Sequence, residues 1–147
     1  MKSANQGPGG PEGPGAGEAD ALPQSLTVGE GRTAVDLVLR RVGRDLLLTV
    51  TGGEAHAGAV ALCWPDGQGG VACADLAAGI HKEGPLAREC AGVIAAAAGC
   101  TCAVVAGIHQ DRATRDEITT IVANAAEGAR RLAALLTGCG PEEGTHD

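Results

Sequence analysis

Aromatic side chains are almost absent from this sequence, which has one Trp and neither Phe nor Tyr among 147 residues. Platforms that stack single-stranded nucleic acid need several aromatic rings, so this class of function is excluded. Basic residues are also few, because 11 Lys and Arg stand against 18 Asp and Glu, a formal net charge of −7. An acidic chain of this kind is not expected to bind nucleic acid or an anionic membrane surface.

Export signals and long apolar runs are missing too. No apolar segment follows Met1, and no uninterrupted apolar stretch approaches the length of a transmembrane helix. We therefore expect a cytoplasmic protein whose six cysteines are reduced thiols, mostly serving as small buried hydrophobic residues. Cys100 and Cys102 form a C-x-C pair, which lacks the spacing of a zinc ribbon.

Motifs of hydrolysis and phosphoryl transfer are also absent. The sequence contains no G-x-S-x-G nucleophile elbow, no P-loop and no H-E-x-x-H. An accessory protein is therefore favoured over an enzyme.

Composition divides the chain into one domain and two tails. Residues 1–31 are rich in Gly, Pro and polar residues, and residues 139–147 are similar, so both segments are expected to be flexible. Residues 32–138 alternate between strand-like and helix-like patterns in the order ββββαβα. This order predicts an α+β (mixed α/β) fold, with a mostly antiparallel sheet of about five strands and two packed helices.

The last helix carries the clearest signals. Thr114 and Glu117 have the spacing of a capping box. The apolar residues that follow recur at helical spacing and predict one buried face: Ile118, Ile121, Val122, Ala125, Ala129, Leu132 and Leu136.

Three of the four histidines are predicted to meet at one edge of the sheet, called the rim below. If the first four strands form an antiparallel meander and the fifth runs parallel to the fourth, the second, fourth and fifth strands end at this edge and the third begins there. Both helices would start at the rim. The residues gathered there are Gly52, Gly53, Glu54, His56, His81, Lys82, Glu83, Gly107, His109 and Asp111.

Two chemistries suit such a rim. Helix N-termini, glycine backbone and Lys82 favour a phosphate or another oxyanion. Alternatively, His56, His81 and His109 could bind a metal ion, since three imidazoles with a carboxylate suit zinc or an open transition-metal site. The residues alone leave both readings open.

Three sequence blocks resemble a known family. "TGGEAHAGAVAL", "GIHKEGPLARECA" and "VVAGIHQDRATRDEI" occur in the order found in the prenylated-flavin chaperone domain of the small D subunit of gallate-type decarboxylases. The resemblance covers residues 34–136. It departs from the family at Arg112, where the family often has Asn, and this weakens any specific role for Asp111.

The resemblance implies a non-catalytic subunit that binds prenylated FMN, which is made by a flavin prenyltransferase, or unmodified FMN. It implies delivery of this cofactor to a prenyl-FMN-dependent (de)carboxylase. The ten rim residues named above would be the cofactor-binding residues, and a homodimer interface could complete their pocket.

Two other functions remain open. The first is a small metal-dependent enzyme with the three rim histidines as ligands and Glu54 or Glu83 as general base. The second is a purely structural subunit that stabilises a larger enzyme through an apolar sheet face.

Overall fold

The structure is a computed structural model that describes residues 22–136. It contains six strands and two α-helices, and a short 3-10 turn at Gly31–Thr33 follows the first strand. In chain order the elements are β1 (Gln24–Val28), β2 (Val35–Val42), β3 (Asp45–Gly53), β4 (Ala59–Pro65), β5 (Val71–Ala77), α1 (Gly84–Ala98), β6 (Cys102–His109) and α2 (Arg115–Leu136). The α+β class predicted from the sequence is confirmed.

The six strands form one mixed sheet in the order β1-β2-β3-β6-β4-β5. β6 is parallel to β3 and antiparallel to β4, and the other neighbours are antiparallel. The predicted meander is therefore wrong between β3 and β4, because β6 lies between them. β6 is apolar on both faces. Strands of this composition are typical of the centre of a sheet, where both edges of the strand are paired.

The boundary predicted for the N-terminal tail, at residue 31, lies too far along the chain. β1 occupies Gln24–Val28, within the segment that composition assigned to the tail, and pairs with β2. Leu26 packs against the core and Val28 is buried in it, so these two apolar residues are enough to add an edge strand. The rest of the predicted tail, up to residue 21, and the tail at 139–147 lie outside the described residues.

Both helices pack on one face of the sheet and against each other. α1 covers β4, β5 and β6, whereas α2 lies over β1 and β2. The core between them is built from Val, Leu, Ile, Ala and Cys side chains, as the lack of aromatic residues requires. The opposite face of the sheet has no covering element within residues 22–136. It exposes Val60, Leu62, Trp64 and Leu76.

The helix ends follow the sequence signals. Pro85 stands in the first turn of α1, and Gly99 ends it in the left-handed region with φ 66°. At α2 the Glu117 N–H donates to Thr114 Oγ1 and the Thr114 N–H donates to Glu117 Oε1, both at 3.1 Å. The predicted capping box is thus confirmed. Within residues 22–136, no helix combines the length and apolarity that a membrane span needs.

Two cysteines form a disulfide, contrary to the expectation of reduced thiols throughout. Cys63 and Cys73 are direct partners in the β4–β5 hairpin, and their Cα atoms are 4.2 Å apart. This antiparallel register, which sequence spacing alone does not reveal, brings the two sulfurs together. Cys90, Cys100 and Cys102 are free thiols, and Cys139 lies outside the described residues.

Candidate functional site

The rim predicted from strand directions is present. β3 ends at Gly53 directly beside His109, the last residue of β6. β4 begins and β5 ends at the same edge, since Ala59 pairs with Ala77. The error in strand order does not remove this convergence, because inserting β6 between β3 and β4 leaves every strand direction unchanged.

The glycines at the end of β3 serve a close backbone approach. Gly53 has φ 58°, and a Cβ built there would overlap the carbonyl oxygen of His109. Beside it, the Glu54 N–H donates to that same carbonyl oxygen at 2.9 Å. A Cβ at Gly52 would lie 2.8 Å from the carbonyl oxygen of Ala34. The two glycines therefore permit the close approach of the end of β3 to β6 and to the segment before β2.

The rim brings His56, His81 and Glu83 into one cluster. His56 Nε2 lies 3.2 Å from Glu83 Oε1, and His81 Nδ1 lies 3.8 Å from Glu83 Oε2. The two imidazole rings are 4.5 Å apart between centroids. One potential ligand atom from each of the three residues lies within 4.8 Å of the others. The cluster is partly shielded, since the Glu83 side chain is 14% exposed and that of His56 is 25% exposed.

Gly58 shapes the floor of this cluster. A Cβ at that position would lie 2.7 Å from Glu83 Oε2 and 2.9 Å from His56 Nε2. Its backbone is fixed on both sides, because the Gly58 N–H donates to Ala106 O and its carbonyl accepts from the Ala78 N–H. Sequence reasoning did not assign a role to Gly58, although it stands within the "GGEAHAG" segment.

His109 belongs to a separate pair. Its Nε2 lies 3.0 Å from Asp111 Oδ1, and both side chains are largely exposed. His109 is not part of the cluster formed by His56 and His81, where Glu83 takes the third place instead. The three-histidine grouping considered from the sequence is therefore not the one that the fold assembles.

A cleft of about 280 Å³ opens beside His109. Its polar wall carries Lys82 and Glu83 as well as His109. Its apolar wall includes Ile108 of β6 and Ile118 and Val122 of α2. The last two were predicted to be core residues, but their side chains are 52% and 41% exposed. Helical periodicity placed them on the apolar stripe of α2, but these two residues line the cleft and are not buried in the core.

Of the two α-helices within residues 22–136, α1 lacks a side-chain cap at its N-terminus and α2 has one. The first turn of α2 is occupied by its own capping box, and Arg32 Nε donates to Glu117 Oε2 at 2.8 Å. Arg32 Nη2 also donates to the carbonyl oxygen of Asp111. At α1, by contrast, the Glu83 side chain makes no capping hydrogen bond, because it turns toward the histidines.

A second and larger hollow, of about 650 Å³, lies at the opposite edge of the sheet. Arg41, Arg44, Trp64 and Cys100 line it. Trp64 stands five residues along β4 from the rim, roughly 16 Å at the usual rise of a strand. Trp64 therefore cannot form a wall of the rim cleft.

One comparison with known proteins shows a similar fold, and another shows the family. A yeast structure described as "Crystal Structure of a Novel Chaperone Complex for Yeast 20S Proteasome Assembly" is similar with a TM-score of 0.54 and 17% identity. The match covers 77% of this chain and 92% of the yeast chain, and at this identity it shows a shared fold alone. No curated protein sequence matches significantly. The family model described as "Prenylated flavin chaperone LpdD-like domain" matches residues 29–137. This match spans most of the sequence, so the chain belongs to the prenylated flavin chaperone LpdD-like family.

Proposed function

We propose that this protein is a cytoplasmic carrier that binds prenylated FMN at the rim cleft and hands it to a prenyl-FMN-dependent (de)carboxylase. The observation that carries the proposal is the cleft between β6 and α2, which has an apolar wall facing a polar wall, in a member of a prenylated flavin chaperone family. The protein acts by binding and transfer, and the chemistry that the bound cofactor supplies is used in the partner enzyme. A flavin prenyltransferase is the proposed donor.

The residues present fit part of such a ligand. Ile108, Ile118 and Val122 offer aliphatic surface to an apolar ring or prenyl group. Within residues 22–136 Lys82 makes no ion pair, so its ammonium group is available to a phosphate. His109 stands at the same polar wall, and because its Nε2 faces Asp111 Oδ1 at 3.0 Å, only the doubly protonated ring can donate a further hydrogen bond, from Nδ1. These side chains bind and orient the ligand, and α2 shields it from water along one side.

One copy of the cleft is small for this task. Its volume of about 280 Å³ lies just below the range of about 300–1,000 Å³ that is usual for small-molecule sites. Separately from the cleft, which lies on the helix side of the sheet, we propose that a second copy of this chain docks on the open face and covers its exposed apolar residues.

Residues on that open face support a self-complementary contact. Its β4–β5 half is apolar, with Val60 and Leu62 each 44% exposed and Leu76 72% exposed. Its β2 half carries both charge signs, because Asp36 and Arg40 are exposed on the same face. In a twofold interface each copy presents the same patch, so apolar centres can meet while opposite charges pair around them.

Anaerobic co-purification tests the binding proposal. The protein is co-expressed with a flavin prenyltransferase, and bound flavin is measured by absorbance and mass spectrometry. We expect the wild type to retain prenylated FMN, and Lys82→Ala, His109→Ala and Ile118→Glu to lose most of it. These positions are exposed or half-exposed, so folding should be preserved, and far-ultraviolet circular dichroism checks this.

The hollow at the opposite edge provides the matched control. Arg44→Ala removes an exposed side chain there, away from the open face of the sheet, and should leave flavin retention unchanged. Retention by the three rim variants together with loss in Arg44→Ala would contradict the rim site. An absence of flavin from the wild type would contradict the carrier function itself.

Light scattering coupled to size exclusion tests the dimer. Leu62→Asp should convert the dimer to a monomer, because it places a charge in the apolar centre of the open face. Leu135→Asp is the matched control, since Leu135 is 38% exposed on α2, on the other side of the molecule. A wild type that elutes as a monomer, or an equal effect of both changes, would overturn the proposed interface.

A further inference from the structure

We propose that His56, His81 and Glu83 form a binding site for a divalent first-row transition metal, with zinc as the expected ion. One ligand atom from each residue lies within 4.8 Å of the other two. A single ion at about 2.0–2.2 Å from nitrogen and oxygen ligands would need these atoms at roughly 3–4 Å from one another, so only small side-chain adjustments are required. The site does not depend on whether the rim binds a flavin.

The donor set selects the class of metal. Two imidazoles with one carboxylate suit zinc, iron, cobalt and nickel, whereas calcium and magnesium prefer sites built from oxygen atoms. Three protein ligands leave at least one coordination position open to water or to an oxygen of another ligand. Within residues 22–136 no other group of three potential ligands is this close.

His56 is already oriented for metal binding. Its Nδ1 lies 3.0 Å from the carbonyl oxygen of Glu54. A carbonyl oxygen only accepts hydrogen bonds, so Nδ1 carries the proton and the neutral ring has its lone pair on Nε2. A backbone carbonyl bound to the second ring nitrogen is the usual arrangement around metal-binding histidines. Nε2 points toward Glu83, at 3.2 Å from Oε1.

Two atoms of the cluster lack hydrogen-bond partners. His56 Nε2 and Glu83 Oε2 are both buried, and neither forms a hydrogen bond. The lone pair on Nε2 and the other carboxylate oxygen, Oε1 at 3.2 Å, repel each other unless a positive charge lies between them. A metal ion coordinated by both atoms supplies this charge, and an added proton on His56 is the competing explanation.

The backbone also holds the ligands in place. The Glu83 carbonyl accepts the first hydrogen bond of α1 from the Ala87 N–H at 2.8 Å, which fixes Glu83 at the start of the helix. The His81 N–H donates to Ala78 O at 3.2 Å, within the tight turn before it. Gly58 packs against the cluster where any side chain would displace Glu83 or His56. A bound ion would therefore tie the segment before β4 to the segment before α1.

Metal titration of the tag-free full chain tests the proposal. The protein is stripped with a chelator, kept anaerobic without reductant so that the Cys63–Cys73 disulfide stays intact, and titrated with Zn²⁺ by calorimetry, with metal content confirmed by mass spectrometry. We expect one equivalent of zinc, and a loss of affinity of about 100-fold or more in His81→Ala and Glu83→Gln. His81 is half-exposed, so His81→Ala should fold normally even if Glu83→Gln does not.

His109→Ala is the matched control, because this histidine stands at the rim but outside the cluster. It should bind zinc like the wild type. Cobalt substitution separates this site from the cysteines, since imidazole and carboxylate ligands give no thiolate-to-metal charge-transfer band.

Two results would overturn the proposal. Equal zinc binding in His81→Ala, Glu83→Gln and the wild type would place the metal elsewhere in the chain. An absence of stoichiometric binding of zinc or cobalt by the wild type would leave a protonated His56 paired with Glu83 as the explanation. Because the readout is metal binding alone, it is independent of the outcome of the flavin experiment.

Discussion

Gly107 in β6 lies directly against the main chain of His56. A Cβ built on Gly107 would overlap the carbonyl oxygen of His56 and lie 3.1 Å from its Cδ2. Gly107 is buried within the sheet, so neither partner can move without disturbing β6 or the start of β4. The position of the His56 imidazole therefore depends on the absence of a side chain at residue 107.

Gly107→Ala should destabilise the protein by about 2 kcal/mol, within the range of about 1–3 kcal/mol for overpacking a dense interior. It should also abolish zinc binding at the cluster, because the His56 segment must shift. Urea unfolding measures the first effect and calorimetry the second. Unchanged stability together with unchanged backbone amide shifts at residues 54–58 would contradict this close packing.

The two helix glycines, Gly92 and Gly128, should respond oppositely to substitution by Ala. A Cβ at Gly128 in α2 would lie 2.8 Å from Leu37 Cδ2, in the fully buried core. A Cβ at Gly92 in α1 would meet Cys63 Sγ only at 3.9 Å, an ordinary contact. Gly92→Ala should therefore stabilise the protein by about 0.5–1 kcal/mol through helix propensity.

Gly128→Ala gains the same propensity but must displace Leu37, so we expect net destabilisation by about 1 kcal/mol. Chemical denaturation at one pH gives both values. A change of the free energy of unfolding in the same direction for both substitutions would contradict the close packing of Gly128 in α2 against Leu37 in β2.

The free thiols should differ in reactivity. Burial raises the pKa of Cys90 and of Cys102 to about 12, with Glu89 adding to the effect on Cys90. Burial, followed by the charge of Asp45, also raises the pKa of Cys100, which is only partly buried. The thiolate is the form that reacts with alkylating reagents, so a high pKa suppresses the reaction at pH 8.

Iodoacetamide at pH 8 should therefore modify Cys100 first in the folded protein. Cys90 and Cys102 should react at least about 100-fold more slowly until denaturant is added. Peptide mapping by mass spectrometry separates these sites from Cys139. Without reductant, Cys63 and Cys73 should remain unmodified, and rapid labelling of either would contradict their disulfide.

Glu117 should make stability depend on pH. Hydrogen bonds from the Thr114 backbone and from the Arg32 side chain hold the pKa of Glu117 below its usual value of 4.5. Because the pKa is lower in the folded than in the unfolded protein, the stabilisation is full above about pH 4.5 and is lost as the pH falls through the folded pKa.

Glu117→Gln keeps an acceptor for the Thr114 N–H but loses the ion pair with Arg32. The wild type should therefore be more stable than this variant at pH 7, and the difference should shrink as the pH falls below about 4.5 and through the lowered folded pKa of Glu117. Thermal unfolding across this pH range measures it. A difference that stayed constant with pH would show that the Arg32–Glu117 charge interaction is not its cause.

Signals between residues close together in the sequence were enough to predict several features of this protein. Thr114 and Glu117 cap α2 because a capping box needs only residues three positions apart. Strand directions also followed from connection lengths, and this was enough to bring His56, His81 and Glu83 to one edge. The α+β class depended on the same local patterns.

Tertiary structure decided the rest, because it depends on which distant segments pair. β6 pairs with both β3 and β4, and periodicity within a strand carries no information about its neighbours. The register of β4 and β5 joins Cys63 to Cys73, although each reads locally as a buried apolar residue. The way α2 packs on the sheet leaves Ile118 at the cleft and not in the core. Finally, a turn before α1 directs Glu83, and not His109, toward His56, because side-chain direction is set by the packed backbone rather than by spacing in the sequence.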